Sequence, residues 1–288
     1  MDFSLYQEEA EKTDQAPGRD GSAVMVPLLG LAGEVGSLLA EYKKFLRDGP
    51  AHRLFLEQIA EDLGDILWYV SNVATKFGLE LEQIANANLV KTRDRWPVGP
   101  APEYRLYDEA YPDDQRLPRR FQVLFSEVLE SGRKRVLLTV DGEPMGNRLT
   151  DNAYEDDGYR FHDVFHLSYA AILGWSPVSR AGLRRKRRKD SVVDEVEDGG
   201  RAVVVDEAIS AFVYDYARKA NYLENVEAID YHLLKAIKSL TAEVEVKTRT
   251  YGDWERAILD GYRVWRTIRH NRGGIVSVDL INRSITTP

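Results

Sequence analysis

The chain contains no cysteine. That absence removes disulfides, zinc–thiolate centres and thiol nucleophiles together, and it leaves oxygen and imidazole as the side-chain ligands for any metal. The acids described below then favour a hard ion, Mg²⁺ with Mn²⁺ as the alternative. An excess of positive charge is also missing: the formal net charge is −8 at neutral pH. A surface of that sign repels a phosphate backbone, so a nucleic-acid partner is not expected unless a local basic patch acts alone. No uninterrupted apolar run reaches the roughly 18 residues needed to cross a bilayer. The opening MDFSLYQEEAEKTD lacks the basic-then-apolar order of a signal peptide. No membrane partner is expected, and the cytoplasm is the expected location.

With 288 residues, 43% of them hydrophobic and 30% charged, the chain can bury one large core or two smaller ones. Its most informative stretch is a pair of segments, Gly33 to Lys44 (GEVGSLLAEYKK) and Ala60 to Tyr69 (AEDLGDILWY). On the first, Leu28, Leu31, Val35, Leu38, Leu39, Tyr42 and Leu46 recur at helical spacing and form an expected buried stripe. Glu34 and Glu41, seven residues apart, lie beside that stripe on one face. On the second, Ile59, Leu63, Ile66, Leu67, Val70, Ala74 and Phe77 form the stripe, and Asp62 and Asp65 project together from a neighbouring face. A turn at Asp48-Gly49-Pro50 makes the two helices antiparallel. Acids facing one another between such helices build oxygen-rich metal sites, whereas acids on a single helix are usually solvated surface.

Around this pair, Phe3 to Lys12 reads as a short helix, Gln15 to Gly21 as a loop, and Glu80 to Arg95 as a helix after the stop at Gly78. Five prolines between Trp96 and Pro118 mark a linker. The expected organisation is a helical domain over 1–96, a Pro-rich linker over 97–118, and a mainly helical domain over 119–288. Within the last, Arg119 to Glu130 is expected to be helical, and Arg135 to Val140 a strand that turns at Asp141-Gly142 into a return strand over Glu143 to Leu149. Helices are expected from Tyr159 to Gly174, from Val205 to Asn221, near Tyr231 to Val244 and over Tyr251 to His270, with a short strand at Ile275 to Ile281. The fold class is therefore all-α, a helical bundle with a small β-hairpin in the second part.

The first part resembles the MazG-like all-α nucleoside triphosphate pyrophosphohydrolases, which pair an E-x-x-E helix with an E-x-x-D helix. Gly33-Glu34-Val35-Gly36-Ser37 stands at the first motif and Asp62-Leu63-Gly64-Asp65 at the second, and the likeness runs from Tyr6 to Asn88, Lys91 and Arg95. The resemblance implies cleavage of a nucleoside triphosphate to the monophosphate and pyrophosphate, and a homo-oligomer. It implies catalysis by Glu34, Glu61, Asp62 and Asp65, metal ligation by Glu34, Asp62, Asp65 and Glu41, and substrate binding by Asn88, Lys91, Arg95 and Trp68. Two positions depart from the pattern. Asp62 shortens a glutamate by one methylene, and Ser37 removes a carboxylate. The loss at Ser37 opens the alternative of a catalytically degenerate nucleotide-binding or sensing protein acting through protein interactions.

The second part can be laid over the first. Asp163-Val164-Phe165-His166 aligns with Glu34 to Ser37, and Asp206 to Ser210 aligns with Glu61 to Asp65, without gaps inside either motif. A diverged internal duplication would make the chain a tandem, pseudo-dimeric bundle; coincidence between two amphipathic helix pairs is the plainer explanation. Asp163, His166 and Glu207 would then be a possible second site or its remnant. His162 and His166, four apart, have a spacing that binds metals, and histidines hydrogen-bonded in a helix interface have the same spacing. The basic run Arg184 to Lys189 reads either as a solvated loop partly neutralised by the acids of Asp190 to Asp198, or as a grip for phosphates.

Overall fold

The computed structural model describes residues 1–96 and 104–288; residues 97–103, which open the expected linker, and the side chain of Arg95 lie outside the described residues. Met1–Arg93 and Asp94–Pro288 form two compact units.

In the first unit, Asp2 caps α1 (Phe3–Glu11) by accepting the Leu5 N–H at 2.8 Å, and Asp20 caps α2 (Gly21–Asp48) through Ala23 at 2.9 Å. A 3₁₀ turn at Gly49–Ala51 leads into α3 (Phe55–Lys76), and Gly78, with φ of 66°, separates it from α4 (Leu81–Arg95). Helices α2 and α3 form the expected antiparallel hairpin. Phe45 stacks on Phe55 beside the turn at 4.3 Å, and further along the Tyr69 ring lies so close to Gly30 that a Cβ there would overlap it. Gln7 ties α1 to the α3–α4 junction, donating to Thr75 Oγ1 and Leu79 O and accepting from the Leu81 N–H.

The expected burial of the α2 stripe needs correction. Leu39 is 64% exposed and Leu46 68%, and Leu28, Val35 and Tyr42 are also exposed; the buried residues of α2 are Ala23, Pro27 and Glu41. The reason is one of cover: among the described residues α1 packs chiefly on α3, which leaves α3 as the main cover of α2 within its unit. The absence of an uninterrupted apolar run holds, but it understates how apolar α2 is. Glu34 is the sole charge between Asp20 and Glu41, and an 18-residue window of this helix has a mean hydropathy of 1.8, so by length and composition it is apolar enough to span a membrane.

The second unit is a five-stranded antiparallel sheet with helices on one face. The strands are β1 (Arg120–Glu130), β2 (Arg133–Val140), β3 (Glu143–Pro144), β4 (Gly273–Asp279) and β5 (Ser284–Thr286), in the order β3-β2-β1-β4-β5. Two expectations are corrected here. The single hairpin is part of a larger sheet, and Arg119 to Glu130 is its central strand instead of a helix. In that segment Phe121, Leu124, Phe125, Val128 and Leu129 match a helical period, while Phe121, Val123 and Phe125 match a strand. Pairing decides the outcome: β1 bonds β2 on one edge and β4 on the other, and Val123 and Phe125 are buried while Leu124 faces out. Ser131 and Gly132, both at positive φ, make the tight turn between β1 and β2.

The helices are α5 (Asp163–Leu173), α6 (Pro177–Gly182), α7 (Ser191–Val196), α8 (Gly200–Lys219), α9 (Tyr231–Leu240) and α10 (Tyr251–Asn271). Helix α5 is central, with every residue from Val164 to Leu173 buried. It packs along α10, where Gly261 lets Ser168 approach and donate from its hydroxyl to the Ala257 carbonyl at 2.6 Å. In this core Phe165 stacks on Tyr262 and packs against Tyr214 and Trp265, which meet edge to face.

The basic run is neither a uniform loop nor a free grip. Arg187 is buried and pairs with Asp198 at 2.7 Å and Glu245 at 2.8 Å, so one acid from the neighbouring acidic stretch holds it inside. Arg184, Arg188 and Lys189 remain exposed. Beside this pair, Asp108 accepts from Arg180 at 2.8 Å and forms an ion pair with Arg119 at 2.8 Å.

Candidate functional site

On the helix hairpin, Glu34 and Asp62 are half-buried and Glu61 and Asp65 exposed. Asp62 has one carboxylate oxygen, Oδ2, that is buried and has no hydrogen-bond partner. Such an oxygen is costly unless a cation or donor meets it. Asp65 lies near the Tyr6 hydroxyl, and burial followed by the Asp65 charge pushes that phenol up. Glu61 accepts from Gln58 at 3.1 Å. Glu41 is engaged elsewhere: it pairs with Lys44 and, at 2.9 Å, with His52, and these two, Lys44 first, hold its carboxyl below the usual range. Trp68 donates its indole N–H to Thr13 Oγ1 at 2.8 Å, which fixes the ring toward the loop after α1. Asn88 and Lys91 are exposed on α4. Ser37 is exposed as well, one turn from Glu34.

The donors of Glu34, Asp62 and Asp65 are all oxygen, the set a hard divalent ion prefers. Donor type and the orphaned Asp62 oxygen therefore fit such an ion. The three do not, however, form a compact trio: among the described residues, the one group of three or more potential ligands drawn together is in the second unit.

That group is His162, His166 and Glu207, whose ligand atoms all lie within 4.8 Å of one another. Of the three residues expected at a second site, the structure brings His166 and Glu207 together. His162 takes the third place, and Asp163 stands at the edge, its carboxylate 3.4 Å from His162 Nε2. The helices dictate this. His162 precedes the first residue of α5 and His166 is one turn on, while Asp206 and Glu207 are consecutive on α8, so one acid points inward and the next along the groove. The inward acid, Asp206, is fully buried and accepts from His166 Nδ1 at 2.8 Å, Ser176 Oγ at 2.7 Å and the Val178 N–H at 3.2 Å. Ser176 is held in turn as the cap of α6, accepting from the Ser179 N–H at 3.0 Å. Sequence reasoning placed Asp206 in the alignment but gave it no role; its signal is its position beside Glu207, on the core side of α8.

The electrostatics follow from this packing. Burial pulls the His166 imidazole toward neutrality, but Asp206, then Glu207, outweigh it and raise its affinity for a proton. Glu207 is held low, chiefly by His166. The Tyr159 ring lies flat on His162 at 4.3 Å, and burial, then the nearby Glu207 and Asp163 charges, push its phenol up to about 12.

Fold and sites together describe a two-unit, mainly helical protein with an acidic helix hairpin in one unit and a sheet-backed imidazole–carboxylate site in the other. The family model of the MazG C-terminal domain matches residues 102–288, and the chain belongs to this family. The match falls on the half in which the sequence reading placed only a diverged copy, and not on residues 1–96 where it placed the resemblance. A relative, the Gene 37 protein of Mycobacterium phage L5, is 31% identical over 101 residues, covering 33% of this chain and 89% of the relative. No solved structure matches.

Proposed function

We propose that the chain is a metal-dependent nucleoside triphosphate pyrophosphohydrolase, releasing pyrophosphate from an NTP or dNTP, with its site on the hairpin of α2 and α3. The observation that carries this reading is the buried, unpartnered Oδ2 of Asp62, on the helix whose DLGD motif resembles that of the MazG-like enzymes. Membership of a MazG family supports it. Glu34, Asp62 and Asp65 would hold Mg²⁺, with Mn²⁺ as the alternative. Such an ion, when bound, neutralises triphosphate charge and lowers the pKa of a water molecule. Glu61, exposed one residue before Asp62, would take a proton from that water. Lys91, near the end of α4, would meet the phosphates; the side chain of Arg95, the other cation the resemblance assigns to them, lies outside the described residues.

The test is pyrophosphate release from a panel of nucleoside triphosphates with Mg²⁺. Asp62→Asn and Glu34→Gln should each lower kcat by about 10–100-fold or more, the scale on which metal sites respond to lost partners. A second reading has its own observation, since Ser37 offers no carboxylate and the acids do not form a compact trio. A degenerate, nucleotide-sensing protein would bind nucleotide without releasing pyrophosphate even in the parent chain, and that result would displace the enzyme reading.

A further inference from the structure

We propose that His162, His166 and Glu207 form a binding site for a divalent transition-metal ion, separate from the acidic hairpin and different from it in donor chemistry. The first support is the arrangement of the ring protons. His162 Nδ1 lies 2.8 Å from the Tyr159 carbonyl oxygen, which can only accept, so Nδ1 carries a proton. His166 Nδ1 lies 2.8 Å from the Asp206 carboxylate, which fixes the same tautomer. In both rings Nε2 is the nitrogen left for an ion, which on His166 would displace the proton that Asp206 and Glu207 favour there, and both Nε2 atoms face Glu207, at 3.8 Å and 3.4 Å from its Oε2. A histidine whose far nitrogen is held by a carboxylate or carbonyl is the usual state of a metal-ligating imidazole.

The second support is independent of tautomer. His166 is fully enclosed, yet its Nε2 makes no hydrogen bond. Its nearest acceptor, Glu207 Oε2 at 3.4 Å, is not aligned to form one; an enclosed polar nitrogen left so is expensive, and an ion at that point removes the cost. Spacing agrees as well. Bonds of about 2.0–2.2 Å to nitrogen and oxygen set neighbouring ligand atoms roughly 3–3.5 Å apart. The observed 3.4 Å and 3.8 Å describe a slightly open cradle. Its movable side is Glu207, 45% exposed at the side chain, while Tyr159 wedges His162 and Asp206 anchors His166. Two imidazoles and one carboxylate, with Asp163 beside them, select zinc, iron(II), cobalt or manganese over magnesium.

The exposed flank also leaves coordination positions open, as in catalytic and not structural sites. Next to it lies a hollow of about 300 Å³ lined by Tyr159, Tyr214, Asp157, Ala211 and Arg218. Two of its lining residues neighbour the cluster: Tyr159 stacks on His162, and Ala211 is one helical turn along α8 from Glu207.

The experiment uses the full chain, freed of metal by a chelator. Co²⁺ is titrated in and followed by its visible absorption, Zn²⁺ is used as a competitor, and zinc-induced shifts of the imidazole nitrogens are read by NMR on protein labelled with ¹⁵N-histidine. The expected result is one ion per chain at this site, with the Nε2 resonances of two histidines shifting. His162→Gln and Glu207→Gln should each weaken binding by about 100-fold or more, and Asp206→Asn by about 10–100-fold, with the circular dichroism of the chain retained. A Glu34→Gln/Asp62→Asn double variant should bind Co²⁺ here as the parent does, which separates this site from the hairpin. The proposal is overturned if no Co²⁺ or Zn²⁺ binds stoichiometrically, if binding survives His162→Gln and Glu207→Gln unchanged, or if no histidine Nε2 resonance shifts with zinc.

Discussion

Arg187 and Asp198 belong to two stretches that look, as composition, like opposite patches of solvated charge. Both are fully buried, with Glu245 as the second acid on the guanidinium. Removing one partner of such a pair strands the other charge in the core. Arg187→Met is therefore expected to lower stability by about 3–5 kcal/mol in urea denaturation followed by circular dichroism, while Arg188→Ala, at an exposed neighbour, should stay within about 0.5 kcal/mol. Asp108 gives a pH prediction. Burial works against its charge, but Arg180, then the Leu117 N–H and Arg119, hold it below its ordinary 3.8. Burial and Arg187 loosen the Arg180 proton, yet that guanidinium stays charged throughout the acid range, so Asp108 sets the pair's acid limb. A carboxyl lowered on folding adds stability above its unfolded pKa and loses it as pH falls through the folded value. Melting temperature should decline below about pH 4, and Asp108→Asn should flatten that limb. At this scale the sequence was legible in part: His166 and Glu207 were named together and do meet, while His162 stands where Asp163 was expected. It was opaque where a partner lies far along the chain: Asp108 is 72 residues from Arg180.

Among the elements, the longer helices were legible from their period and stop signals, while the short α6 and α7 and the central strand were not. Phe121 to Leu129 satisfies both periods at once, and pairing with β2 and with β4, the latter about 150 residues later, selects the strand; Gln122 faces Ser277, for example. Composition offered a hint, since a segment of Phe, Val and Leu followed by Ser-Gly and RVLLTV is already half of a hairpin. The helix hairpin yields a third prediction. In an exposed helix, Gly→Ala stabilises by about 1 kcal/mol. At Gly30 the sign should reverse, because the added Cβ meets the Tyr69 ring: Gly30→Ala should cost about 1–3 kcal/mol. A Gly30→Ala/Tyr69→Leu double variant should recover part of that loss, a coupling that a double-mutant cycle in urea measures directly.

For the molecule as a whole, the uncovered side of α2 is the feature that demands a partner. Leu29, Val35, Leu39 and Leu46 are exposed on a single helix, more apolar surface than isolated outward-facing leucines account for. We propose a homo-oligomer that buries this face, in line with the MazG resemblance. Light scattering after gel filtration should give a dimer or larger form, and Leu29→Glu with Leu39→Glu should shift it toward the monomer without loss of helix content. Monomer in the parent chain would reject this. The indole of Trp68 has one more consequence. It is the single tryptophan of Met1–Arg93, tethered to Thr13, while Trp175, Trp254 and Trp265 sit in the core of the other unit. The emission difference between the parent chain and Trp68→Phe is thus an optical signal for the first unit alone, and the order in which the two units melt can be read from one intact chain.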